Sequence, residues 1–351
     1  MMTKSKQTPP FNRHIAAHWL LVSVFIVSNF TWFFLPLTIL GAFVKGYRIC
    51  WFIFGVAVLE YVWPLHPGPV GFWPAFSDFS DNTKGLQDYN DAEVVIMKTD
   101  GDKSQEPLFR RDKNYCLCYF PHSLYAMGLF ILRRYFYDTY GMRLLFTGAD
   151  VIFHAPILRR LMTWWGCTRV SKSALKKSLA QPYPYNIIML QPDGIAGMFY
   201  GLEHEQIVLD KRRGFCKIAL QTGVSLVPCY FLGANIMYDR YCDPNSFWAQ
   251  LSHNYHMSVL LWSDRFHIPF GPIPKPNKYV FVVGTPIEVQ KVEQPTQAQI
   301  DNLHDVFVAA MKDLYDKNVY RMGPEWLAAR GKLYLESEKL PEKSLQRKKV
   351  E

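Results

Sequence analysis

The hydrophobic pattern of the chain changes character at about residue 65. From Trp19 to Val44 no side chain carries an ionisable group. That stretch exceeds the roughly 20 residues a helix needs to span a bilayer. A second apolar stretch runs from Ile49 to Val62 and is broken only by Glu60. Pro36 interrupts the first stretch, Lys45 and Arg48 separate the two, and Pro64 and Pro67 close the second. Lys4, Lys6 and Arg13 precede the first stretch, which argues for a cytosolic N-terminus. No comparable run follows. We therefore expect a short cytosolic segment (1–18) and a membrane-embedded hairpin (19–65) that returns the chain to the cytosol. A single span, or a shallow hairpin bent at Pro36, is the alternative.

Beyond the hairpin the period shortens. Residues 66–92 are rich in Pro, Gly, Asp and Asn and read as a linker along the membrane surface. Residues 93–335 alternate between strand-like and helix-like segments. Ala92 to Met97, Tyr115 to Phe120, Asn186 to Gln191, Ser225 to Phe231 and Lys278 to Val283 read as strands. Ser123 to Tyr137, Ile157 to Trp165, Ser173 to Leu179, Phe215 to Thr222 and Gln297 to Lys317 read as helices. Such alternation predicts an α/β domain. The charged tail, 336–351, is expected to be mobile.

Composition narrows the class. Hydrophobic residues make up 49% of the chain and charged residues 20%, so material for a core is ample. Aromatics reach 16%, a level that suits a protein at a membrane interface. The net charge of +9 fits an anionic membrane surface or a phosphate-bearing substrate. No zinc-finger spacing, aromatic RNA-binding pattern or basic heptad helix accompanies it, so nucleic acid is not expected as a partner. The seven cysteines form no framework and no metal-ligand spacing, which predicts reduced thiols and no metal.

Three segments carry candidate chemistry. Pro121-His122-Ser123 follows the apolar strand that ends at Phe120, where α/β proteins place reactive side chains. A histidine there is largely neutral near pH 7 and suits a general base acting on an alcohol. Taken alone, a histidine in such a place is far more often structural. Gln191-Pro192-Asp193-Gly194 runs from a strand into a glycine-bearing turn that permits close backbone approach to a ligand. Lys211-Arg212-Arg213-Gly214-Phe215-Cys216-Lys217 sets basic residues before a helix start, a pattern that suits an anion. Taken alone, such a segment is more often a solvated turn.

Together and in this order the segments resemble the type-2 diacylglycerol acyltransferase family, which includes monoacylglycerol acyltransferases and wax-ester synthases. Phe120-Pro121-His122-Ser123 is similar to that family's HPHG or EPHS signature, with the plant-like Ser123. Phe153-His154-Ala155-Pro156-Ile157-Leu158-Arg159, with Thr163-Trp164-Trp165-Gly166, resembles its second block. Arg213-Gly214-Phe215, Ala219, Gly223 and Val227-Pro228 resemble its RGF and VP block, and Val283-Gly284-Thr285-Pro286-Ile287 its VVGxPI element. The likeness runs over roughly residues 75–322. More distantly the blocks are similar to glycerol-phosphate-type acyltransferases. Three positions depart from the patterns. Met127 stands where the distant family has an Asp that would orient the His, and Asp193 and Gly197 replace a Gly and the Glu of a PGGxxE element.

The resemblance implies a mixed sheet with flanking helices, as in glycerolipid acyltransferases. It implies direct transfer of an acyl group from acyl-CoA, as co-substrate and without a further cofactor, to diacylglycerol. Monoacylglycerol or a fatty alcohol is the alternative acceptor, and a non-catalytic hairpin scaffold on lipid droplets is the rival class. The catalytic residues would be His122, with Ser123 contributing near the oxyanion. Pro121, Asp193, Gly194, Arg213, Gly214, Phe215 and Lys217 would contact substrate, with Arg213 and Lys217 on CoA phosphates. Endoplasmic reticulum membrane, a cytosol-facing catalytic domain and the lipid droplet are the expected locations, and homo-oligomerisation stays open.

Overall fold

The computed structural model describes residues 31–66, 68–80, 91–98, 107–125, 128–271 and 273–341. The first part of the apolar stretch, Trp19 to Phe30, and the Met127 position lie outside them. Two helices, α1 (Thr31–Phe43) and α2 (Arg48–Val62), form a hairpin. They cross closely at Gly41, where an added Cβ would stand 2.7 Å from Cys50 Sγ. Leu37, Leu40, Phe43, Ile49, Phe52 and Val62 are each more than half exposed, so the hairpin presents an unpartnered apolar surface. Among the described residues no helix is long and apolar enough to cross a membrane.

The hairpin is fastened to the rest of the chain at the end of α2. Arg160 donates to Glu60 Oε1 (3.0 Å) and to the carbonyls of Trp63 and Pro64 (2.9 and 3.1 Å). Arg159 donates to the Tyr61 carbonyl at 2.9 Å and lies over the Tyr61 ring. Two guanidinium groups thus meet the orphan carbonyls and negative dipole end of α2. Glu60, the single acid of the apolar stretch, is there to pair with Arg160. The next segment packs down rather than running free along a surface. Phe72 is buried, and α3 (Pro74–Ser80) sets Phe76 against Trp164 and Trp165.

Among the described residues the rest of the chain builds one seven-stranded sheet. Its strands are β1 (Ala92–Ile96), β2 (Tyr115–Phe120), β3 (Leu145–Gly148), β4 (Cys167–Arg169), β5 (Ile187–Leu190), and two more after a short strand β6 (Glu205–Ile207), which are β7 (Ser225–Leu232) and β10 (Tyr279–Val283). The spatial order is β1-β10-β7-β2-β5-β3-β4, and every neighbour is parallel except β10 against β7. The sheet is mixed and its helices flank it, as expected. Strand β2 is buried on both faces. Tyr115, Leu117 and Tyr119 join the core beneath α4 (Gly128–Tyr140) and α5 (Leu158–Trp164). Cys116, Cys118 and Phe120 join the core beneath α6 (Lys172–Leu179), α7 (Gly214–Thr222) and α9 (Gln297–Asp316). This alternation follows the two-residue period of a strand.

Several elements differ from the sequence expectation. The helix expected from Ser123 begins at Gly128, because Ser123 adopts φ 53°, which no α-helical residue does. Between β7 and β10 the chain makes an excursion through β8 (Asp239–Arg240), α8 (Phe247–Tyr255) and β9 (Trp262–Ser263). The charged tail does not detach at Glu336. After α10 (Pro324–Arg330), β11 (Leu333–Leu335) pairs with β6, and Glu336 accepts from the main-chain N–H groups of Leu209 and Asp210 at 2.8 and 3.1 Å. All seven cysteines are free.

Candidate active site

Strands β2 and β5 lie side by side and parallel, with Cys118 opposite Leu190. Their carboxyl ends therefore release Pro121-His122 and Gln191-Pro192 next to one another, at the sheet edge where α/β folds gather ligands. A cavity of about 950 Å³ opens there. His122, Gln191, Gly194, Phe199 and Arg212 line it, with His253 of α8 on the far wall.

His122 is half-buried, and its Nδ1 lies 3.0 Å from the Ser123 carbonyl oxygen. A carbonyl can only accept, so Nδ1 carries the proton and Nε2 keeps its lone pair. The main chain thus does the orienting that the missing Asp at Met127 cannot. Burial holds the imidazole below its usual pKa, aided by the Arg240 guanidinium and opposed by the bond to Ser123. The ring is neutral at pH 7 and fit to accept a proton.

Asp193 stands behind this arrangement. It is fully buried, and its Oδ2 accepts from the His122 main-chain N–H at 2.8 Å. Burial pushes its carboxyl up to about 8 despite that bond and the Arg212 charge. An added Cβ at Gly197 would fall 2.2 Å from the same Oδ2. Two departures from the family pattern therefore explain each other: a carboxyl side chain at 193 fits because residue 197 has no side chain. Asp193 acts on the His122 backbone rather than on the cavity, which it does not line.

The remaining sequence candidates separate. Gly194 lines the cavity at φ 56°, but its N–H donates to the Gln191 carbonyl (3.1 Å). Ser123 is buried, and its hydroxyl donates to the Ala234 carbonyl at 2.6 Å. Pro121 is buried beside them. Arg213 turns away to form an ion pair with Asp301 at 2.7 Å. Phe215 packs edge-on to Phe307, with ring centres 4.9 Å apart, so it joins α7 to α9, and Gly214 opens α7. Lys217 is half-buried on α7 and is not among the cavity residues. The cation that faces the cavity is Arg212, which also donates to the Asp193 carbonyl at 3.2 Å.

Arg240 braces the Met198–Tyr200 stretch, of which Phe199 and Tyr200 line the cavity. It is buried and donates to the carbonyls of Met198 and Tyr200 at 2.7 and 3.0 Å. Glu205, buried beside it, accepts from Tyr230, Asn235 and Arg330 at 2.6, 3.1 and 2.8 Å. Among the described residues no cluster of three His, Cys, Asp or Glu side chains could hold a metal. Sequence reasoning passed over Gln191, Arg212 and Arg240. The first two had a usable signal, since Gln191 follows a strand directly and Arg212 adjoins the residue chosen.

A family model described as Diacylglycerol acyltransferase matches residues 102–326. Diacylglycerol O-acyltransferase 2 of Dictyostelium discoideum is 28% identical over 218 residues, which cover 59% of this chain and 66% of the relative. The chain thus spans just under two thirds of that relative's length. Acyl-CoA wax alcohol acyltransferase 2 of Homo sapiens is 26% identical over 226 residues, covering 60% of this chain and 67% of the relative. The solved 1-acyl-sn-glycerophosphate acyltransferase PlsC of Thermotoga maritima aligns over 86% of this chain and 97% of its own. That alignment has 11% identity and a TM-score of 0.39, too low to carry weight. With the family model covering well over half of its length, this chain belongs to the diacylglycerol acyltransferase family.

Proposed function

We propose that this protein transfers a fatty acyl group from acyl-CoA to the free hydroxyl of diacylglycerol and so makes triacylglycerol. The observation that carries the reading is His122, held in one tautomer by the Ser123 carbonyl at the wall of a cavity large enough for an acyl thioester. Nε2 takes the proton of the acceptor hydroxyl as its oxygen attacks the thioester carbonyl. The new C–O bond forms, the C–S bond breaks, and the proton passes from His122 to the departing CoA thiolate. No metal and no cofactor beyond acyl-CoA enters these steps. Arg212 takes the CoA phosphates, a role the sequence alone assigns to Arg213 and Lys217. A wax alcohol is the second acceptor, favoured by the name of the human relative.

The exposed apolar hairpin lies in the bilayer of the endoplasmic reticulum or on a lipid droplet, with the cavity facing the cytosol. The clasp of Arg159 and Arg160 on α2 keeps the cavity at a fixed distance from that surface. Purified protein should be given radiolabelled acyl-CoA with diacylglycerol, monoacylglycerol and a fatty alcohol in turn, with products resolved by thin-layer chromatography. Triacylglycerol should dominate. Acyl transfer to none of the three would sink the reading, and a dominant wax ester would move it to the second acceptor. Tags at both termini should be cleaved by protease on sealed microsomes; a tag protected until detergent is added contradicts the topology.

A further inference from the structure

Acyl transfer to an alcohol needs a donor for the charge that gathers on the carbonyl oxygen. Neither Ser123, expected from the sequence, nor the nearby Gly194 main-chain N–H is available. The Ser123 hydroxyl hydrogen goes to Ala234, and the Gly194 N–H goes to Gln191. Gln191 itself offers the alternative. Its side-chain Nε2 is buried and has no hydrogen-bond partner, and Gln191 lines the same cavity as His122. Among the described residues, no other cavity-lining side chain has a buried atom left unpaired. Buried polar groups in folded proteins are nearly all paired, so an orphan amide on a cavity-lining residue calls for a partner that arrives later; Nε2 is closed to solvent at rest, and a turn about the broad terminal torsion of the side chain presents it to the cavity. Its place in the fold agrees. Gln191 follows β5 directly, His122 follows the adjacent parallel strand β2 by two residues, and both residues line the one cavity.

We propose that the Gln191 side-chain amide is the oxyanion donor for the acyl transfer proposed above, on which this inference rests. As the acceptor oxygen attacks, the thioester carbonyl oxygen becomes an alkoxide and accepts a hydrogen bond from Nε2. When the C–S bond breaks, the C=O bond re-forms and the amide is orphaned again. An amide unpaired in the resting protein and paired in the transition state lowers the barrier without tightening ground-state binding.

The test uses the full-length protein in detergent, with Gln191→Met and Gln191→Glu. Both match the glutamine in length, Met removing the donor and Glu also placing a negative charge beside the oxyanion. The Met variant should lose about 10²–10³ in kcat, as removal of an oxyanion donor does, and Glu should lose more. KM for acyl-CoA should be unchanged, as should the Kd for an S-alkyl-CoA thioether, which has no carbonyl. The Met variant should melt at or above the wild-type temperature, because it no longer buries an unpaired amide. Wild-type kcat in the Met variant overturns the proposal, as does a fall in thioether affinity that matches the fall in kcat. Wild-type protein and His122→Ala run in parallel. An active wild type, a dead His122→Ala and an unimpaired Gln191→Met overturn this proposal alone. A wild type that acylates no lipid hydroxyl overturns the acyl-transfer reading, and this proposal with it.

Discussion

Replacing Gly197 by Ala adds one methyl group at a place the structure defines closely. The new Cβ would lie 2.2 Å from Asp193 Oδ2, 2.5 Å from Cγ and 3.0 Å from its Cβ. Something must move, and every near atom belongs to Asp193. Overpacking of this kind costs about 1–3 kcal/mol. Displacing the carboxyl group also removes the acceptor of the His122 main-chain N–H, worth about 1 kcal/mol more. Because that bond places the base, turnover should fall too; a misplacement near 1 Å can cost on the order of 10²-fold. The assay is a double-mutant cycle with Asp193→Gly, read by denaturant unfolding and by kcat. Without the Asp193 side chain the three nearest contacts of the added methyl are gone, so Gly197→Ala should then cost under about 0.5 kcal/mol. The interaction energy should be about 2 kcal/mol. An equal cost for Gly197→Ala in both backgrounds would refute the coupling of the two residues.

Arg212→Ala should raise KM for acyl-CoA more than KM for the acceptor, and added salt should weaken acyl-CoA binding in the wild type; Arg213→Ala should leave both KM values near wild type. Glu60→Ala leaves Arg160 without its carboxylate in a largely buried setting, at a cost of about 3 kcal/mol, and should open the region around residue 64 to protease. Asp193 has a folded-state pKa raised to about 8, so its contribution to stability is full below about pH 4 and is lost as pH rises through 8. Asp193→Asn should therefore flatten the decline in melting temperature between those values, and an unchanged slope would count against the assignment.

The sheet was readable where strands were long and apolar on both faces. Tyr115–Phe120 and Ser225–Leu232 match the pattern within a residue. Strands β3, β4, β6 and β11 escaped because each has only three or four residues and is held by partners distant in sequence, as Leu333–Leu335 is by Glu205–Ile207. The helix start at Ser123 was misplaced because the periodicity says nothing of a left-handed backbone. Of the site, His122 was legible from its place after a strand. That Arg213 serves Asp301 while Arg212 faces the cavity was not, since adjacent basic residues differ only in direction. Nor was the Asp193–Gly197 exchange, which needs the distance between them. Glu60 looked like a blemish in an apolar run until Arg160 was placed beside it.

The central claim is that neutral His122 removes the proton of the acceptor hydroxyl. The most direct measurement is the turnover of purified His122→Ala against the wild type, over a range of acyl-CoA and diacylglycerol concentrations, between pH 5 and pH 8. Loss of a general base should lower kcat by about 10²–10⁴. Because burial depresses the His122 pKa, wild-type kcat/KM should stay level as pH falls from 8 through 6.5 and drop only below it. The mutant should lose that acid limb while keeping its fold and its KM for acyl-CoA. A His122→Ala protein that turns over near the wild-type rate, or keeps the same acid limb, would contradict the account.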